Sequence, residues 1–146
     1  MHQDQAVKRA FVDANVILRY LTKDPPELAE AALKTFSAAQ RGLVVLVLAP
    51  ITIAEVVWVL EFFYGYSKVQ IAETVSHFLC SDGLEVMDLD LVIQAFAFYQ
   101  EKNIDFADAL LAGVALSRNL NLVYSFDKHL ARIPGIVKLD PGKAPK

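Results

Sequence analysis

The chain predicts an α/β fold built on a parallel sheet. Three observations carry that expectation. Short apolar runs of strand length alternate with stretches whose apolar residues recur at helical spacing; residues 43–48, LVVLVL, are apolar throughout, as in a central strand covered on both faces; and turn residues separate the two kinds of segment. A length of 146 residues is enough for one complete hydrophobic core, and no internal repeat or low-complexity stretch interrupts it.

The elements follow in order. After a polar lead-in, residues 11–13 read as the first strand and 15–21 as a helix, which DPPE at 24–27 interrupts. Pro26 suits the first turn of a second helix that runs to about Gln40 and stops at Gly42. Residues 43–48 form the second strand, followed by helices over 52–64 and 67–79 on either side of Gly65. A brief strand at 84–86 leads to a helix over 90–101, and an Ala/Leu-rich helix covers 105–117. Residues 122–124 are a strand, 128–131 a short helix and 136–139 the last strand, closing a single domain over 1–140 with PGKAPK at 141–146 as a loose tail. Right-handed crossovers put the C-terminal end of every strand and the N-terminal end of every crossover helix on one edge, where ligands bind in open α/β sheets.

Bulk properties narrow the function. A net charge of -3 and a pI near 5.5 give no electrostatic footprint for bulk phosphate binding, although a bound metal ion can supply positive charge locally. With 55% hydrophobic residues and a mean hydropathy of +0.36, some apolar surface is expected to meet a partner. Cys80 is the single cysteine and MHQDQAVKRA lacks the apolar core of a signal peptide, so a reducing cytoplasm is expected. Residues 43–60 have the length of a membrane span, but Pro50 divides them and Glu55 would cost a few kcal/mol in lipid, so none is expected.

Four acids stand out. Asp13 ends the first strand, Glu55 falls in the first turn after the second, Asp127 follows the fourth, and Asp108 lies in the first turn of the helix before it. All four are expected on the same edge. Taken singly, each also reads as a helix cap: Asp13 and Asp127 directly precede helices, Thr52 and Glu55 have capping-box spacing, and Asp105 with Asp108 looks like a cap and its partner three residues on. Taken together they conflict, because two carboxylates about 4 Å apart repel by roughly 4 kcal/mol at an effective dielectric near 20. Glu55 is set beside Val56, Val57 and Trp58, and Asp108 within FADALLAGVAL, so both are expected near-buried, with no lysine or arginine adjacent in sequence. Such a group needs protons, basic partners or a cation.

An all-carboxylate set selects hard ions such as Mg²⁺ or Mn²⁺ over zinc. His2, His77 and His129 have no zinc-ligand spacing and read as surface or core residues. No nucleophile elbow surrounds a serine, and neither a GxGxxG motif nor a P-loop is present.

Four segments, FVDANVILRYL, ITIAEVVWVLEFFYGYS, DFADALLAGVA and YSFDKHLARIPGI, together resemble the signature regions of PIN-domain ribonucleases, and most closely the VapC toxins of type II toxin-antitoxin modules. They appear in family order and at family-like spacing, from about Ala10 to Leu139. The resemblance implies a PIN-like three-layer α/β/α fold with a parallel sheet of about five strands in the order 3-2-1-4-5. It maps the catalytic and metal-binding quartet onto Asp13, Glu55, Asp108 and Asp127, with Asn15, Ser125 and Asp105 as supporting positions. Asp105 reads at least as well as a structural cap, and Asp88 and Asp90 would fall at the far edge, outside the set.

The implied reaction is hydrolysis of an RNA phosphodiester with one or two Mg²⁺ or Mn²⁺ ions, leaving 5′-phosphate and 3′-hydroxyl ends. The implied partners are an RNA substrate, a cognate antitoxin and a second copy of the chain. Helical positions Val56, Val59, Leu60, Phe62, Phe63, Tyr64 and Tyr66 carry more large apolar surface than one core stripe uses. Arg19, Lys23, Arg118 and Lys128 are candidates for the rim of an RNA path, although each alone reads as an ordinary solvated charge. Two other PIN readings stand beside the toxin: a non-catalytic module that binds RNA or protein, which intact acids argue against, and a solitary housekeeping nuclease. A phosphate-accepting receiver domain would need paired acids ahead of the first-strand aspartate and a lysine ending a late strand, and neither appears.

Overall fold

Leu46, Val47 and Leu48 are all buried, and the strand that carries them is flanked on both sides by others. In the computed structural model, which describes residues 6–146, this strand is β2 (Val45–Leu48). It pairs in parallel with β1 (Arg9–Phe11) and β3 (Leu84–Val86), with Phe11 opposite Val47 and Leu48 opposite Val86. The polar lead-in at residues 1–5, with His2, lies outside the described residues. The chain divides into two compact units, Met1–Met87 and Asp88–Lys146.

In the first unit, parallel pairing requires long crossovers, and two helix pairs supply them. The helices α1 (Ala14–Thr22) and α2 (Pro26–Gln40) connect β1 to β2, and α3 (Pro50–Phe62) and α4 (Lys68–Leu79) connect β2 to β3. Each buries a stripe at helical spacing: Ala14, Ile17 and Leu18 on α1, Ile53, Val56, Val57 and Leu60 on α3, Ile71, Ala72, Val75 and Phe78 on α4. The Phe36 ring of α2 packs 4.6 Å from Tyr20 and 5.3 Å from Phe78. Lys23 ends α1 in the left-handed region, its N–H donating to the Arg19 carbonyl at 2.9 Å. Pro26 sits in the first turn of α2 as its fixed φ allows, and Ser67 Oγ caps α4 by accepting from the Gln70 N–H at 3.1 Å.

The start of α3 overturns one expectation. Pro50 opens the helix after the backbone of Ala49, so Thr52 and Glu55 do not form a capping box, and Glu55 stands one turn further in. The proline needs no N–H at that position, which makes it the better helix start.

In the second unit, α5 (Leu89–Glu101) and α6 (Phe106–Ser117) form a hairpin whose aromatic core joins Phe96 and Phe106 at 4.5 Å and Tyr99 and Phe106 at 6.0 Å. A Cβ at Gly113 would stand 3.0 Å from Gln94 Oε1, so the absence of a side chain lets the two helices approach there. The strands β4 (Leu122–Tyr124) and β5 (Val137–Leu139) pair in parallel, joined by a segment that contains a 3-10 turn, Lys128–Arg132. Near the C-terminus Tyr124 Oη donates to the Lys143 carbonyl at 2.7 Å, and Lys138 pairs with Asp140 at 2.7 Å.

The fold is thus mixed α/β with parallel pairing, as expected, but the strand order differs in part. The runs 3-2-1 and 4-5 both form, as a three-stranded and a two-stranded sheet in place of one five-stranded ladder. Four of the five strands have only three residues, and β4 engages β5 through its flanks, with Ser125 N–H on Leu139 O at 3.1 Å and Val137 N–H on Asn121 O at 2.9 Å. Among the described residues no helix is long and apolar enough to cross a membrane.

Gly83 enters β3 with φ +85°, and a Cβ there would lie 2.3 Å from the Ala39 carbonyl oxygen. Gly42 has a similar φ of +79° but open space around it. Gly83→Ala is therefore expected to destabilise the chain by about 2–4 kcal/mol, from left-handed strain plus overpacking, and Gly42→Ala by about 1–2 kcal/mol from strain alone. Urea unfolding of the two variants checks the difference, and equal losses would show that α2 does not press on Gly83.

Candidate metal centre

Each acid is placed by a helix start or its neighbourhood. In the first unit Asp13 precedes α1 with extended backbone (φ -79°, ψ 153°), and its Oδ1 accepts from the Ala14 N–H at 2.7 Å. Asn15, at the second position of α1, lines a cavity of about 330 Å³ between α1 and α2 together with Val16, Arg19, Leu28 and Thr35. Arg19 donates to the Asp24 carbonyl at 3.1 Å, tying down the α1–α2 turn. Glu55 is exposed and not near-buried, because the buried stripe of α3 runs through Ile53, Val56, Val57 and Leu60 and leaves position 55 on the outer face. Asp13 is exposed as well.

In the second unit three acids converge. Carboxylate oxygens of Asp105, Asp108 and Asp127 lie within 4.8 Å of one another. Asp108 stands in the first turn of α6, half-buried because Phe106, Ala109 and Ala112 turn the neighbouring face into the core. Asp127 heads the 3-10 turn and accepts from the His129 N–H at 2.8 Å, while its own N–H donates to Ser125 Oγ at 2.9 Å. Ser125 thus fixes the backbone that carries the acid, which gives the expected supporting position a concrete contact.

Asp105 departs most clearly from the expectation of a structural cap. It occupies the N-cap position of α6, but its side chain makes no capping hydrogen bond and joins Asp108 and Asp127 instead. Spacing alone could not say which way its carboxylate would turn.

The electrostatics follow from this crowding. Burial raises the Asp108 carboxyl above the ordinary carboxylate value of 3.8, and the charges of Asp127 and Asp105 raise it further. Asp127 moves the other way, lowered first by the His129 N–H it accepts and also by the His129 ring and the hydrogen bond with Asp108. The opposite directions belong to one coupled pair: burial and its neighbours disfavour charge on Asp108, and the His129 N–H favours charge on Asp127. His129 Nδ1 lies 3.2 Å from Asp127 Oδ1, an ion pair whenever the ring is protonated.

His129 has no zinc-ligand spacing, and what it contributes, a backbone N–H to Asp127, is not visible in residue type. A second missed residue is Arg132, whose Nη1 donates to the Lys102 and Asn103 carbonyls at 3.0 and 3.2 Å. The available signal was position: both follow Asp127 within five residues, in a segment too short to turn away from it.

The donor set of the cluster is all oxygen, negatively charged and without a lysine or arginine among the three, which fits a hard divalent cation. Mixed α/β architecture with acids gathered at a helix start defines a class of protein that can hold such ions. The chain belongs to the PIN domain family, whose pattern it matches over residues 10–136. PIN domains are in general nucleases that use divalent metal ions, so the coarse function is nuclease-type hydrolysis of nucleic acid. None of the curated proteins compared with the chain matches it.

The raised Asp108 carboxyl makes a stability prediction with a definite sign. The folded state holds this proton more tightly than the unfolded chain, so the contribution is fully present below the ordinary carboxylate range and is lost as pH rises through the raised folded value. Without metal at neutral pH, Asp108→Asn is expected to melt a few degrees higher than the wild type, with the gain disappearing below about pH 4. Thermal melts across pH check this, and a variant that melts lower at neutral pH would show that the ionised acid is not strained.

Proposed function

We propose that the chain is a metal-dependent endoribonuclease and serves as the toxin of a toxin-antitoxin module. The observation that carries the nuclease reading is the approach of Asp105, Asp108 and Asp127 to within 4.8 Å in a chain of the PIN domain family. Asp13, Glu55, Asp108 and Asp127 are the proposed catalytic acids, with Asp105 as a further ligand and Asn15 and Ser125 in support. The oxygen-only donors favour Mg²⁺ or Mn²⁺. An ion of this kind supplies activation of the attacking water and neutralises charge on the phosphoryl oxygens.

The residues themselves prepare the site for that chemistry. Ser125 Oγ and the His129 N–H hold Asp127 ionised and oriented, so one ligand is ready before a cation arrives. A bound cation offsets what disfavours ionised Asp108, exchanging repulsion by its neighbours for attraction to the ion. A phosphate chain approaching an acidic protein needs this exchange, since the net charge of -3 gives it no other general attraction.

Two surfaces of the first unit support the toxin reading. Ile51, Trp58, Phe62 and Phe63 are exposed on and just beyond α3, the apolar face expected of a homodimer. The α1–α2 side carries a second cavity, of about 630 Å³, where Tyr20, Leu21, Pro26, Ala29 and Leu33 give an apolar lining beside Lys23 and Glu30, a surface that suits a segment of an antitoxin. The exposed free thiol of Cys80 suits the reducing cytoplasm.

Cleavage of an RNA pool is expected with Mg²⁺ or Mn²⁺ and not with chelator. Asp13→Asn and Asp108→Asn should each reduce it by at least about a hundredfold, beyond the ten- to hundredfold loss typical of outer partners, while Ser125→Ala should lose about tenfold. Full cleavage by folded Asp13→Asn or Asp108→Asn chains would remove those acids from the site. For the toxin role, induction in a bacterial host should arrest growth and the product of a short adjacent reading frame should relieve the arrest; unimpaired growth alongside RNA cleavage in vitro would favour a housekeeping nuclease.

A further inference from the structure

Asp105 is pinned from both sides in sequence. Ile104 and Phe106 are buried, and an extended backbone at Asp105 (φ -63°, ψ 144°) directs the residue between them the other way. In the preceding link Lys102 closes α5, and Asn103 takes the left-handed conformation with φ 51°. Arg132 ties this link down. It ends the 3-10 turn that Asp127 opens, next to the buried Ile133 and two residues after the buried Leu130, and its Nη1 donates to the carbonyls of both Lys102 and Asn103.

We propose that Arg132 is a positioning residue: its guanidinium clasps the α5–α6 link to the 3-10 turn and so sets the spacing of Asp105 and Asp127 for a divalent cation. The proposal rests on the metal reading given above. It also makes a claim that charge alone contradicts. A guanidinium close to acids repels an incoming cation, so removing it should tighten cation binding if charge is its only influence. If the clasp matters more, removing it loosens binding, because the loop bearing Asp105 is no longer held to the turn bearing Asp127.

The test is Mn²⁺ affinity of the full chain without nucleic acid, read from the spin-resonance signal of free Mn²⁺, with hydrogen exchange at residues 103–106 measured in parallel. Arg132→Ala is expected to weaken Mn²⁺ binding about tenfold and to speed exchange in that segment. Arg132→Gln, which keeps an N–H donor but no charge, should recover most of the loss. The clasp is overturned if a wild type that binds Mn²⁺ is matched or exceeded by Arg132→Ala, or if Arg132→Gln recovers nothing. A wild type that binds no Mn²⁺ overturns the metal reading itself and the role of Arg132 in it.

Discussion

Three carboxylates with oxygens within 4.8 Å of one another repel, and the second unit is arranged so that they cannot move apart. Asp108 is carried on the first turn of α6, where burial of Phe106, Ala109 and Ala112 against the unit's core fixes the helix's rotation. Asp127 is carried on a turn whose buried Leu130 and Ile133 hold it in place, and Asp105 lies between two buried neighbours. Apolar packing thus opposes electrostatic repulsion, and the upward shift of the Asp108 carboxyl records the balance. A site held this way is ready for a cation and uncomfortable without one.

The surrounding polar contacts are almost all to backbone. Ser125 accepts from the Asp127 N–H, Asp127 accepts from the His129 N–H, and Arg132 reaches the carbonyls of Lys102 and Asn103. Apart from the His129 ring, 3.2 Å from Asp127 Oδ1, these contacts run to backbone groups and not between opposite side-chain charges. That distinguishes the cluster from a surface ion-pair network such as Arg9 with Glu85, where exposed charges satisfy each other and little stability is gained.

The first unit is organised around burial of β2. Its strand is covered, its crossover helices each bury one stripe, and the apolar residues that do not fit those stripes are left outside. On α3 the buried positions are Ile53, Val56, Val57 and Leu60, which leaves Trp58 and Phe62 exposed with their rings 5.5 Å apart. The high mean hydropathy of the chain is therefore partly surface, as the composition implies.

Much of the fold is legible in the sequence. Periodicity locates all six α-helices and the short turn near Lys128, and the strands at 84–86 and 122–124 fall where their β-branched and aromatic residues predict. The two-residue shifts fall on β1, which spans Arg9–Phe11 in place of 11–13, on the start of β2 at Val45 and on both ends of α3, Pro50 and Phe62, where strand pairing or a proline outweighs the apolar pattern. Sequence alone determined the parallel α/β class, the family pattern and the identity of the candidate acids, because those depend on residue type and spacing along the chain. Only the tertiary structure decided that Asp105 turns away from its cap to join Asp108 and Asp127, that Glu55 is exposed, and that Arg132 clasps the loop. Each of those depends on side-chain direction and on segments distant in sequence meeting in space, which neither propensity nor spacing encodes.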